Sequence, residues 1–108
     1  MEDRDLFETI AALTTPAVLA TVVSTKGSTP RKAGAKMLIG EDGALQGTIG
    51  GGCGEGQVIE AAQQLFEGAG PRMVKIDLTD EITSWSPAVC GGIMNVLIES
   101  VRPAGKPR

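Results

Sequence analysis

Histidine is missing from this 108-residue chain, and cysteine occurs only twice, at Cys53 and Cys90. Without histidine the usual general base at neutral pH is gone, along with any Ser-His or Cys-His dyad. Proton or nucleophile chemistry therefore falls to Cys, Lys, Asp and Glu. Two cysteines with no histidine do not make a closed zinc site, so no metal site built from protein ligands alone is expected. A basic excess is lacking as well: ten Lys and Arg against thirteen Asp and Glu leave a net charge of −3. That balance disfavours a general nucleic-acid or membrane-surface binder. The longest apolar stretch, residues 17–23, is too short to span a bilayer. Met1-Glu2-Asp3-Arg4-Asp5 is charged where a secretory leader would place its apolar core. The expectation is a cytoplasmic protein with reduced thiols and with neither a nucleic-acid nor a membrane partner.

Glycine is abundant. Fifteen glycines are about twice the usual share of roughly 7% and imply tight turns or backbone-lined surfaces. With 42% hydrophobic and 21% charged residues the chain is expected to fold as one domain, residues 1–102, followed by a flexible Pro- and Gly-containing tail, 103–108. Leu6, Phe7, Ile10, Ala11 and Leu13 recur at helical spacing after acidic residues, which predicts a helix over 3–13 ending before Pro16. Residues 17–24 read as a strand covered on both faces. Residues 35–39 and 44–49 flank Gly40-Glu41-Asp42-Gly43, a hairpin signal. Val58, Ile59, Ala62, Leu65 and Phe66 form the stripe of a second helix that stops at Gly68. Val74, Ile76 and Leu78 alternate with Met73, Lys75 and Asp77 as in a half-solvated strand, and 95–101 reads as the last strand. Residues 79–89, with Trp85-Ser86-Pro87, show no period and read as a surface excursion. The order α-β-β-β-α-β-β predicts an α+β fold: a single small domain with a mixed β-sheet, a hairpin and two helices.

The most informative stretch is Gly47-Thr48-Ile49-Gly50-Gly51-Gly52-Cys53. Three residues without Cβ permit positive φ and close approach of a ligand to the main chain, and a helix starts just afterwards with its N–H groups and positive dipole end aimed at the same spot. A tight strand-to-helix turn is the plain alternative. Neither a P-loop nor a Rossmann fingerprint is present. Cys90-Gly91-Gly92 repeats the pairing of cysteine with glycines in inverted order. At the start of a helix Cys53 has a lowered thiol pKa and is a candidate nucleophile, sulfur carrier or soft ligand, against the alternative of an inert buried thiol, which applies to Cys90 too. Ser28, Thr29, Arg31 and Lys32 form the only internal basic, hydroxyl-rich segment. It reads either as a phosphate contact, hydroxyls donating and cations neutralising, or as a solvated loop. Glu55 is a candidate general base or simply a helix-stabilising first-turn acid. Trp85 either stacks on a heterocycle or plugs a core edge.

Taken together, the stretches 22–37, 47–53, Cys90-Gly91-Gly92 and Val96-Leu97-Ile98-Glu99 resemble the xanthine dehydrogenase accessory factor family, XdhC/CoxI. The resemblance implies a cytosolic maturation factor, not itself an enzyme. Such a protein transiently binds molybdenum cofactor (molybdopterin) and assists its sulfuration and insertion into the apoenzyme of a xanthine dehydrogenase-type or CO dehydrogenase-type molybdenum hydroxylase. A cysteine desulfurase supplies the sulfur. It also implies that Ser28, Thr29, Arg31, Lys32, Gly50, Gly51, Gly52, Cys53, Cys90, Gly91 and Gly92 hold the cofactor. Many relatives carry a second, Rossmann-like domain, so a separate Rossmann-domain chain or a homodimer is an expected partner here. Two readings from other classes stand beside this one: a sulfur-transfer protein with a persulfide on Cys53 and Glu55 assisting, and an interaction module that has lost cofactor binding. Gly54 stands where many relatives have a larger apolar residue and is expected to loosen the helix start by around 1 kcal/mol. Finally, Cys53 and Cys90 are expected to converge on one rim if the strands beside them lie centrally in one sheet.

Overall fold

A computed structural model describes residues 3–27, 29, 31–49, 54–77 and 92–102. Among them run α1 (Asp3–Ala11), β1 (Ala17–Lys26), β2 (Lys36–Gly40), β3 (Leu45–Gly47), α2 (Glu55–Phe66), β4 (Arg72–Asp77) and β5 (Ile93–Val101). The strands form one sheet in the order β3-β2-β1-β5-β4. The α+β class and the element order agree with the sequence. All four pairings are antiparallel, so the sheet is antiparallel rather than mixed. The reason lies in β5, which returns beside β1 in the opposite direction, Ala17 facing Val101 and Lys26 facing Ile93. A parallel partner would need a crossover in the other sense.

Each sheet face receives one helix. Val58, Ala62 and Leu65 of α2 pack on Val18, Ala20, Val22, Met37, Ile39, Ile76, Met94, Val96 and Ile98, which together with Ile49 form the main core. On the opposite face Leu6 of α1 packs with Ala17 and Leu38, and Ile10, Leu13 and Leu19 close around them. This two-sided cover explains why 17–22 reads as continuously apolar. Phe7, expected in the α1 stripe, is instead 57% exposed, because positions 6 and 10 take the inward face and 7 turns outward. Beyond Val22 a β-bulge intervenes: Val22 faces Val96 and Ser24 faces Asn95, leaving Val23 as the extra residue.

Local chemistry explains the boundaries. The hairpin turn closes with the Gly43 N–H donating to the Gly40 carbonyl (3.0 Å) and the Gly40 N–H to the Ala44 carbonyl (2.8 Å), with Gly43 at φ 92 as in a type I turn plus glycine bulge. At the end of α2 the Gly68 N–H donates to the Leu65 carbonyl and the Ala69 N–H to the Gln64 carbonyl (3.0 and 2.9 Å), a Schellman motif with Gly68 at φ 111. The predicted stop at Gly68 is thus a specific cap. Residues 78–91, including Leu78 and Trp85-Ser86-Pro87, and the tail 103–108 lie outside the described residues.

Candidate functional site

The antiparallel register brings three segments of interest to one end of the sheet. β1 ends at Lys26 opposite Ile93, where β5 begins. β2 begins at Lys36 opposite Thr21, and β3 ends at Gly47 opposite Met37. The basic loop between β1 and β2, the glycine segment after β3 and Gly92 before β5 therefore share a rim. The C-terminal end of α2, with Leu65, Phe66 and Gly68, lines a small cleft with Pro16, Ala17, Ser100 and Arg102 at the far end of the sheet. A helix of 12 residues is about 18 Å long, so its N-terminus lies toward the rim.

The basic loop is pinned at its base. The Val22 N–H donates to the Ala35 carbonyl (2.9 Å) and the Gly34 N–H to the Val22 carbonyl (2.7 Å), while the Ala35 N–H turns back to the Lys32 carbonyl (3.1 Å). Thr29 Oγ1 donates to the Arg31 carbonyl (2.9 Å), so this hydroxyl shapes the loop instead of pointing its hydrogen outward. The side chains of Arg31 and Lys32 are exposed on the loop. Lys36 Nζ donates to the Gly34 carbonyl (3.0 Å). Ser28 lies outside the described residues.

The glycine segment departs from β3 abruptly. Gly47 has φ 79, and a Cβ there would stand 2.5 Å from the Lys36 carbonyl oxygen, so only glycine lets β3 pass so close to β2. The strand ends there, two residues earlier than the apolar run suggests, because Ile49 drops fully buried into the core. Gly54 is the N-cap of α2, buried and left-handed at φ 80, with no side-chain cap bond. This corrects the expectation that Gly54 loosens the helix: the residue sits outside the helical conformation, in a region that a larger L-residue adopts only with strain. Thr48 Oγ1 donates to Glu55 Oε2 across the segment. Gly50, Gly51, Gly52, Cys53, Cys90 and Gly91 lie outside the described residues, and Gly92 is a buried bend before β5. One premise about the cysteines fails: β3 is an edge strand, not a central one, since the hairpin places it outside β2.

Sequence reasoning missed Thr48 and the close approach at Gly47. The familiar capping box joins a hydroxyl to an acid three positions on, whereas this pair is seven apart and carries no such signature. Ser24 and Asn95 were missed too; Asn95 Nδ2 donates to Ser24 Oγ (3.0 Å) across the β1–β5 pairing next to the bulge.

Residues 11–77 match the XdhC and CoxI family. This chain belongs to that family. It is 39% identical over 83 residues to YqeB, an uncharacterized protein of Escherichia coli K12, covering 77% of this chain and 15% of YqeB. It is 37% identical over 87 residues to a probable xanthine dehydrogenase component of Bacillus subtilis 168, covering 79% of this chain and 26% of that one. With the molybdenum cofactor insertion chaperone PaoD of Escherichia coli K12 it shares 31% identity over 90 residues, 82% of this chain and 27% of PaoD. A crystal structure of a xanthine dehydrogenase from Bacillus halodurans superposes with a TM-score of 0.82 at 39% identity, covering 94% of this chain and 31% of that chain. The chain thus spans less than a third of the length of these relatives. The family's matched region holds the basic loop, the glycine segment and α2, so the rim is built largely from shared sequence.

Proposed function

We propose that this chain is a molybdenum-cofactor-binding accessory domain that serves maturation of a molybdenum hydroxylase and is not itself the catalyst. The observation that carries the proposal is the shared rim, where an exposed guanidinium and ammonium, a helix start without a side-chain cap and the flanks of both glycine turns come from separate parts of the chain. Such a donor set fits an anionic, phosphate-bearing ligand: two cations to neutralise it and backbone N–H groups to receive it. The names of two relatives point the same way, one a cofactor insertion chaperone and the other a component of a xanthine dehydrogenase. When bound, the cofactor would carry the redox chemistry of the hydroxylase that receives it.

On this reading Arg31 and Lys32, with Ser28 and Thr29 shaping their loop, hold the phosphate. Gly50, Gly51 and Gly52 admit the ligand close to the main chain, and Cys53 and Cys90, with Gly91 and Gly92, offer thiols toward its sulfur-rich end. The partners are the hydroxylase apoenzyme and a cysteine desulfurase, with a Rossmann-domain chain or a second copy completing the site, in the cytoplasm. No helix among the described residues is long and apolar enough to cross a membrane. Anaerobic equilibrium dialysis against molybdopterin tests the proposal. Retention by folded protein is the expected result, and no retention overturns it. A mass gain of one sulfur on Cys53 after exposure to a desulfurase, without retained pterin, would instead support sulfur transfer.

A further inference from the structure

Two side chains meet across the mouth of the glycine turn. Thr48 directly follows β3 and Glu55 opens α2, and Thr48 Oγ1 donates to Glu55 Oε2, both residues being half-buried. Inside this bond Ile49 is anchored in the core and Gly54 is buried in the left-handed conformation. The four positions 50–53 are therefore bracketed at both ends by fixed groups. Three of the four are glycines, which lose more conformational freedom on ordering than any other residue. A ligand that had to order this stretch unaided would lose affinity accordingly. A hydroxyl-to-carboxylate bond is charge-assisted and, half-buried, is poorly replaced by water.

We infer that Thr48 and Glu55 are positioning residues: their hydrogen bond clips the base of the 50–53 turn and holds it ready before any ligand arrives. Glu55 then serves as an acceptor that fixes backbone, not as a proton-transfer group. The consequence for affinity rests on the cofactor reading, whereas the ordering of the turn does not.

Hydrogen exchange of the intact chain, followed by mass spectrometry over residues 49–55, separates the two. Thr48→Val and Glu55→Leu are each expected to speed exchange there by about tenfold, the size of a lost charge-assisted bond, with β1 and β5 unchanged. Thr48→Ser and Glu55→Gln keep a donor and an acceptor and are expected within about twofold of wild type. Retention of molybdopterin is expected to fall about tenfold in Thr48→Val and to recover in Thr48→Ser. Wild-type exchange in both Thr48→Val and Glu55→Leu would overturn the clip, as would Glu55→Gln exchanging as fast as Glu55→Leu. Should Thr48→Val lose protection in β1 and β5 as well, the comparison of Glu55→Leu with Glu55→Gln decides. If wild type retains no pterin while the exchange pattern holds, the clip stands and the cofactor reading falls.

Discussion

Two glycines of this chain do opposite things. At Gly47 a Cβ would press to 2.5 Å from the Lys36 carbonyl oxygen with φ at 79, while at Gly56, inside α2, a Cβ would meet nothing within 4 Å. Gly47→Ala is therefore expected to destabilise by about 2 kcal/mol, and Gly56→Ala to stabilise by roughly 0.5 kcal/mol through helix propensity and a less free unfolded chain. Urea midpoints at equal slope measure both; equal effects of the two would refute the distinction. For the site itself, changing Arg31 and Lys32 together to Ala is expected to weaken molybdopterin retention and flatten its dependence on salt, since exposed cations act through screened charge. An unchanged salt slope would assign the loop to another partner.

At the level of elements, the fold rests on β1 and β5, the inner strands that carry most of the main core. Ile98 is fully buried there, so Ile98→Ala is expected to cost about 3 kcal/mol in transfer and cavity terms, whereas Phe7→Ser on the outer face of α1 should stay within about 0.5 kcal/mol. Thermal unfolding of the two variants checks the assignment, and a large loss at Phe7 would place α1 the other way round. Periodicity found α1 and its inward residues Leu6 and Ile10, but it could not say which flank of the stripe stays wet, because a helix face about 100° wide leaves its border residue to the depth of packing. Val23 escaped for a related reason. A bulge is set by the pairing of β1 with β5, and nothing in an unbroken apolar run marks it.

The whole molecule decides which segments share a surface. The end of β1, the end of β3 and the start of β5 come together only through the order β3-β2-β1-β5-β4 and its antiparallel register. We therefore expect Cys53 and Cys90 to face one site even though β3 lies at the edge, since Ile49 turns the chain back into the core from that edge. A short bifunctional thiol reagent is expected to link the two within one chain. Cα atoms within about 7 Å would also allow a disulfide under mild oxidation, and the absence of any intramolecular link would separate the thiols into different environments.

The elements and their order were determined by the sequence itself, because helix period, strand alternation and turn chemistry are local: Asp42-Gly43 marks the hairpin and Gly68 the Schellman stop within a few residues of the structure they form. The family was legible too, in the glycine, basic and cysteine motifs read together. What only the tertiary structure decided depends on partners remote in the chain. The sheet is antiparallel throughout, Gly47 must be glycine because β2 passes beside it, Gly54 is a left-handed cap and not a weak helix residue, and Thr48 closes on Glu55. Each of these is a matter of which backbone lies within a few ångströms of which, and that distance is set when the sheet is assembled.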